Sequence, residues 1–173
     1  MGFIINPYAF GAKSFAVVDT DFSTTDLTTY TFSAQTLGEA HATRKIIVAI
    51  AGVSGATSRT ISSVTVDGVT ATAVITRINS GNSRNGHASI YIADVPSNTT
   101  GDVVVTWSGS MLNTMIGLYS AINFSSSTAH DSDPDSDIDD QNNMTVNVPD
   151  QGCVVAARAI VGAISGTDRK SVV

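Results

Sequence analysis

Short runs of β-branched and aromatic residues recur along the whole chain, and each run is bounded by Gly, Asn, Asp, Ser or Pro. Runs of this length and composition predict strands, and their close spacing is typical of an all-β domain. Helical periodicity is almost absent, so the chain is predicted to be all-β and antiparallel. The predicted strands are residues 14–19, 28–33, 45–53, 61–66, 70–78, 87–95, 102–107, 114–123, 144–148 and 152–161.

The segment 64–72 gives the clearest local prediction. Its Asp67-Gly68 pair suits both central positions of a type I′ turn, whose twist matches two antiparallel strands, and we predict a β-hairpin here. With about nine to ten strands in all, the chain is expected to fold as an antiparallel β-sandwich of jelly-roll or immunoglobulin-like type.

Two runs, residues 46–51 and 153–161, are apolar on both faces, which is typical of central strands covered on both sides. A helix is the competing interpretation of the Ala-rich second run, but its β-branched residues and its length favour a strand. The single cysteine, Cys153, lies in this run, where a buried thiol behaves as a small hydrophobe. Intermolecular pairing and a nucleophilic role are the alternatives for this thiol.

The length and the strand pattern predict a single domain. On folding, a chain of 173 residues buries roughly 70% of the surface that the unfolded chain exposes, which suffices for one core. Residues 13–167 are assigned to the sandwich. Residues 1–12 are interpreted either as a short N-terminal arm that docks on a neighbouring subunit or as a first strand of the sheet. Residues 168–173 form an atypical tail whose back-translation resembles a sequencing adapter, which predicts a longer natural protein. A genuine charged tail is the alternative.

The charge of the chain limits the classes of partner that it can bind. Charged residues make up only 14% of the chain, Ser and Thr occupy 42 positions, and the net charge is -6. Binding to nucleic acid or to an anionic membrane surface needs clustered Lys and Arg, which this sequence does not have. No apolar stretch approaches the roughly 20 residues that span a bilayer, and the N-terminus lacks the features of a signal peptide. We expect synthesis in a cytoplasm, no nucleic-acid partner and no membrane insertion.

The strongest chemical signal is the acidic stretch 131–140. Oxygen ligands at alternate positions are what calcium selects, and Asp131, Asp133 and Asp135 match the first three ligand positions of an EF-hand loop. Ser136 stands in place of the turn glycine and Asn142 in place of the bidentate glutamate. The pattern therefore favours a solvated loop without cofactor over a calcium site.

Catalytic patterns are weak. Residues 52–56, Gly-Val-Ser-Gly-Ala, are similar to a hydrolase nucleophile elbow, but that motif needs glycine at position 56 and a helix after it. The three histidines, His41, His87 and His130, have neither a catalytic context nor the spacing of a zinc site. The sequence predicts a non-enzymatic protein with no catalytic residues.

Three aromatic residues, Tyr91, Trp107 and Tyr119, are candidates for stacking against a sugar ring, because aromatic faces bind pyranose rings. Aromatics are only 6% of the chain, and a tryptophan within a valine-rich strand belongs more often to a core. Binding of a cell-surface glycan is therefore carried as an alternative.

The strand and turn patterns resemble β-sandwich proteins encoded among the virion genes of tailed bacteriophages. The resemblance implies a tail, tail-fibre or capsid-decoration subunit that self-associates and binds other virion proteins, and it assigns no functional residue. A hydroxyl-rich surface with few charges suits such permanent contacts, because burying Ser and Thr costs less desolvation than burying Lys or Glu. It equally suits an extracellular filament or adhesin. The resemblance lies in Ile5-Asn6-Pro7-Tyr8-Ala9-Phe10-Gly11, in Ile61-Ser62-Ser63-Val64-Thr65-Val66-Asp67-Gly68-Val69-Thr70-Ala71-Thr72 and in residues 88–106.

Overall fold

The computed structural model confirms the predicted class, an antiparallel β-sandwich. It describes residues 11–80, 83–124, 126, 128–132, 145–150 and 152–159. In these ranges there is no helix with the length and hydropathy to cross a membrane. The strands are β1 (Ser14–Ser23), β2 (Leu27–Thr36), β3 (Lys45–Ser54), β4 (Ile61–Val66), β5 (Val69–Thr70), β6 (Thr72–Ser80), β7 (Asn85–Asp94), β8 (Thr100–Met111) and β9 (Asn113–Ile122).

The strands form a five-stranded sheet of order β1-β9-β3-β7-β6 and a four-stranded sheet of order β2-β8-β4-β5. Their pairings are nested along the chain: β1 pairs with β9, β2 with β8, β3 with β7 and β4 with β5, all antiparallel. Nested pairing of this kind is what a long hairpin produces when it rolls up into two sheets, which is the jelly-roll arrangement. Of the two predicted sandwich types the jelly roll therefore applies, with β6 as an additional edge strand.

The predicted hairpin at Asp67-Gly68 is confirmed. Asp67 has φ of 50° and Gly68 has φ of 77°, so both central residues adopt the left-handed region that a type I′ turn requires. Val66 pairs with Val69 across the turn. The predicted strand 70–78 is divided in the structure, because the chain passes from the four-stranded to the five-stranded sheet at Ala71. The amide of Ala71 still donates to the carbonyl of Val64 at 2.9 Å, after which β6 begins.

Replacing Gly68 with alanine tests the turn. A Cβ at this position meets nothing within 4 Å, so the whole effect comes from the left-handed backbone and amounts to about 1–2 kcal/mol of lost stability. The matched control is Gly55→Ala, which also adds a methyl group to open space but has no positive φ. Chemical denaturation of both variants is expected to show the loss in Gly68→Ala alone. Equal stability of the two variants would show that the left-handed backbone is not the reason for glycine at position 68.

The core lies between the sheets and is built from one face of each strand. On β3 the side chains of Ile46, Val48 and Ile50 are fully buried, so the intervening side chains project from the opposite face of the sheet. The four-stranded sheet contributes alternate residues in the same way, with Trp107 among its largest buried side chains. Sequence alternation on each strand thus determines which residues remain outside the core.

Two predicted strands are absent from the part of the chain that is described. Residues 145–148 and 152–159, which belong to the predicted strands 144–148 and 152–161, form no ladder with another strand. Local composition indicates that a segment can be extended, but a strand also needs a partner edge, which composition does not encode. Of the predicted arm, only Gly11 and Ala12 are described, and the carbonyl of Ala12 accepts a hydrogen bond from Nδ2 of Asn123 at 3.0 Å. Residues 1–10 and the tail 168–173 lie outside the described residues.

Candidate functional site

The outer faces of the two sheets differ in chemistry. On the four-stranded sheet most outward positions carry hydroxyls, and Thr29 and Thr106 lie opposite each other with their Oγ1 atoms 3.3 Å apart. Thr31 and Thr65 continue this polar surface on either side of Val104. The outward positions of the five-stranded sheet are mostly apolar. The sandwich is therefore polar on one side and apolar on the other.

We call the apolar surface the apolar face. It runs across β1, β9, β3 and β7, where outward residues lie side by side in register. Strands with one solvated face normally alternate apolar and polar residues. The outward residues here are apolar instead, which is unusual for a surface that faces water. The apolar face consists of Val17, Phe22, Met115, Tyr119, Ile47, Ala49, Ile90 and Ile92, of which Ala49 and Ile92 are only 9% exposed.

The most exposed part of the apolar face is at β1 and β9. Phe22 is 65% exposed, Val17 is 64% exposed and Met115 is 55% exposed. Phe22 and Met115 are direct cross-strand partners, so their side chains form one continuous projection. Large apolar side chains at this exposure are costly in water, and their clustering is typical of an interaction surface.

Charges lie only at the margins of this face within the described strands. Lys45 forms an ion pair with Asp94 at one end of the sheet, and Arg77 lies on the edge strand β6. A partner that covers the centre of the apolar face therefore desolvates no unpaired charge. This property favours burial of the face against another apolar surface.

An aromatic cluster fixes one end of the apolar face. The rings of Phe15 and Tyr119 stack with centroids 5.5 Å apart, and Phe124 meets Phe15 edge-on at 6.4 Å. The ammonium of Lys13 lies 5.6 Å from the centre of the Phe124 ring. Paired rings and a nearby cation stabilise one arrangement of these side chains, so this end of the face is preorganised.

The open side of the sandwich beside β1 is closed by carboxylates. Oδ2 of Asp19 accepts a hydrogen bond from the amide of Thr36, and Oδ2 of Asp21 accepts one from Nε2 of Gln35 at 3.0 Å. Both aspartates follow a bulge in β1 between Val17 and Asp19. Inward charges and a bulge are devices that keep an edge strand from pairing with another chain. Contact with a partner is consequently favoured on the face of this sheet over its β1 edge.

The three predicted sugar-stacking residues do not share a surface. Trp107 is 2% exposed and Tyr91 is 8% exposed, and both belong to the core between the sheets. Tyr119 lies on the apolar face, where its ring already stacks on Phe15. A pyranose ring has no access to Trp107 or Tyr91 unless the sheets separate. The local sequence did not show that the three side chains lie on different surfaces, because that depends on which face of each strand meets the other sheet.

The predicted calcium ligands are described only in part. Asp131 is exposed, and its carboxylate accepts hydrogen bonds from the amides of Ser132 and Asn147, both at 2.8 Å. These two bonds lower the pKa of the Asp131 carboxyl. Asp133 and Asp135 lie outside the described residues. Among those described, no group of three or more His, Cys, Asp or Glu side chains is placed to hold a metal ion.

The structure brings together two residues from weak catalytic patterns. Oγ of Ser54 lies 3.3 Å from Nε2 of His87, but the two side chains are only 0% and 1% exposed. The His87 ring meets Trp107 edge-on at 5.3 Å, and Nε1 of Trp107 donates to Oγ1 of Thr114 at 3.1 Å. No carboxylate of the described chain hydrogen-bonds to His87. The arrangement is a buried polar cluster that lacks the orienting acid and the substrate access of a serine-histidine site.

Burial of His87 makes the fold sensitive to acid. Desolvation lowers the pKa of His87 below its ordinary value of 6.5. Below pH 6.5, His87 therefore binds a proton in the unfolded chain but not in the folded chain. The free energy of unfolding declines from that pH down to the folded-state pKa of His87. The decline reaches at most about 1.4 kcal/mol per pH unit. Urea denaturation between pH 7.5 and 5 measures it.

His87→Gln is expected to flatten the dependence of stability on pH over this range, because glutamine takes up no proton. An unaltered slope in His87→Gln would show that other groups cause the acid sensitivity.

Sequence reasoning missed Arg44, which is 1% exposed. Its guanidinium donates to five backbone carbonyls of two loops: Nε to Val95, Nη1 to Gly38 and Glu39, and Nη2 to Ser97 and Asn98. Burial lowers the pKa of Arg44, and the charge of Asp67 partly offsets this effect. The residue fixes the β2–β3 and β7–β8 connections at one end of the sandwich. An arginine just before a strand gives no sign of burial, so no sequence signal identified it.

Comparison of the chain with protein-family models, with curated proteins and with solved structures finds no match.

Proposed function

We propose that the protein is a non-enzymatic structural subunit that acts by self-association through the apolar face. The observation that carries the proposal is the contrast between this face and the hydroxyl-covered face of the four-stranded sheet. A second copy is the partner that best fits, because it presents the same uncharged apolar surface and two such surfaces bury each other symmetrically.

The dimensions of the face limit the size of such a contact. Four strands about 4.8 Å apart, with a rise of about 3.3 Å per residue over roughly ten residues, give the apolar face an area of about 600 Å². A standard protein interface buries about 800 Å² on each partner, so this contact lies toward the small end of the range. The exposed side at β1 and β9 supplies its apolar part, and the Lys45–Asp94 pair and Arg77 supply a polar rim.

The setting that we propose is a bacteriophage virion, with the protein as a tail, fibre or capsid-decoration part. Support comes from the sequence resemblance given above and from a jelly roll whose one outer face suits burial by an identical copy. An adhesin or extracellular filament built on the same contact is the alternative. Glycan binding through Tyr91 and Trp107 is disfavoured, because both rings lie in the core.

A charge placed at the centre of the exposed cluster tests the proposal. Phe22→Lys is expected to prevent face-to-face contact, because each copy would have to bury an ammonium group in a desolvated apolar surface. The matched control is Thr31→Lys on the hydroxyl face, which is expected to keep the mass of the wild type. Light scattering with size exclusion measures both. Equal masses for all three proteins would overturn the proposed role of the apolar face.

A further inference from the structure

A glycine in the interior of strand β8 makes room for an arginine side chain. A Cβ added at Gly109 would lie 2.6 Å from Cζ, 2.7 Å from Nε and 2.8 Å from Nη1 of Arg59. Because these three atoms are almost equally distant, the flat side of the guanidinium lies against the backbone at Gly109. Gly109 does not have the positive φ found at Gly38 and Gly68, so glycine serves here for space and not for backbone conformation.

Hydrogen bonds between neighbouring residues fix this arrangement. The amide of Ser108 donates to the carbonyl of Thr60 at 2.8 Å, and the amide of Thr60 donates to Oγ of Ser108 at 3.1 Å. These bonds join β8 to the residues that precede β4, which begins at Ile61. Arg59 is therefore held beside Gly109, and its guanidinium is preorganised before any partner arrives.

The guanidinium of Arg59 has no acceptor among the described residues. Its Nε is shielded from solvent and makes no hydrogen bond, whereas the two Nη groups are not enclosed in this way. Within the described residues the only ion pair joins Lys45 to Asp94, so no carboxylate neutralises Arg59. Arg59 thus differs from Arg44, whose N–H groups donate to five backbone carbonyls.

Stability of the fold explains neither residue. A shielded donor without an acceptor is unfavourable, and so is a glycine in the interior of a strand. Such a glycine often marks a position where a ligand or another chain segment approaches closely. Two locally unfavourable residues in direct contact, Arg59 and Gly109, are therefore typical of a functional site.

We propose that Arg59, with its guanidinium laid on Gly109, binds a carboxylate or phosphate oxyanion. An unpaired guanidinium presents its N–H donors in a rigid fork that matches both groups, and the charge strengthens the hydrogen bonds. A bound oxyanion supplies the acceptors that the described chain does not provide. The site lies on the four-stranded sheet, whereas the apolar face belongs to the five-stranded sheet. Binding of the oxyanion is therefore independent of self-association through the apolar face.

Titration with inorganic phosphate and with acetate, followed by NMR, tests the site. The parent protein is Phe22→Lys, because this substitution is expected to keep copies from associating through the apolar face. The backbone amides of residues 58–61 and 107–110 are expected to shift in a saturable way, and the probe that binds more tightly identifies the oxyanion. Arg59→Gln is expected to abolish these shifts. The matched control, Arg77→Gln, removes an exposed arginine from β6 and is expected to leave them unchanged.

Gly109→Ala tests the arrangement itself, because it keeps the arginine but forces the guanidinium off the backbone. The tighter probe is expected to bind at least about tenfold more weakly, as when a hydrogen bond to a charged group is lost. If thermal unfolding shows that Gly109→Ala does not fold, Arg59→Lys takes its place, since it keeps the charge without the fork. Shifts that persist in Arg59→Gln, a parent without saturable shifts, or a folded Gly109→Ala that binds as tightly as the parent would each overturn the proposal. Equally tight binding by Arg59→Lys, where it replaces Gly109→Ala, would do the same.

Discussion

Replacing Arg44 with methionine is expected to lower the free energy of unfolding by about 3–5 kcal/mol. The guanidinium of Arg44 is buried and each of its five N–H groups has a backbone carbonyl as acceptor. Methionine fills a similar volume but donates no hydrogen bond, so several carbonyls of the two loops lose their donors in a partly buried site. The loops around Gly38 and Ser97 would then open or admit water. Chemical denaturation at neutral pH measures the loss.

Two further variants separate geometry from charge. Arg44→Lys keeps a cation but has only three donors on a point charge, and is expected to recover less than half of the loss. Arg77→Met, at an exposed position on β6, is expected to change stability by less than about 0.5 kcal/mol. If Arg44→Met were as stable as Arg77→Met, the five hydrogen bonds would contribute nothing to the fold.

Trp107→Ala is expected to destabilise the protein by about 3–5 kcal/mol. The side chain is almost wholly buried, and its removal leaves a cavity between the sheets beside His87. It also takes away the donor to Oγ1 of Thr114, a residue that is 1% exposed. Thermal and chemical unfolding are both expected to show the loss.

The comparison variant for Trp107 is Tyr119→Ala. Tyr119 is half-exposed on the apolar face, so its removal costs only the contact with Phe15, about 0.5–1.5 kcal/mol. A larger loss in Tyr119→Ala than in Trp107→Ala would contradict the assignment of these two rings to the outer face and to the core.

The strands from 14 to 123 and the hairpin at Asp67-Gly68 were predictable because both depend on local chemistry. Alternating β-branched residues identify a strand, and a residue pair that tolerates positive φ identifies the turn. The passage of the chain between sheets at Ala71 was not predictable, since it depends on the partner of each strand. For the same reason the sequence marked residues 152–161 as a strand, whereas residues 152–159 form no ladder in the structure.

Only part of the apolar face could be predicted from the sequence. The run 46–51 indicates a strand apolar on both sides, and β3 is indeed the central strand of its sheet with one side in the core. What covers its other side is a property of the surface as a whole, assembled from β1, β9 and β7 by long-range pairing. Arg44 and His87 escaped prediction for a related reason, because their burial is set by loops and strands distant in sequence.

The rate at which Met115 is oxidised tests the central claim most directly. Met115 is 55% exposed on the apolar face, whereas Met111 is buried in the core and serves as an internal reference. If copies associate through this face, mild peroxide oxidises Met115 more slowly as the wild-type protein is concentrated, and this protection is lost in Phe22→Lys. A Met115 rate that stays constant while the measured mass rises would show that the copies associate elsewhere, and would contradict the account.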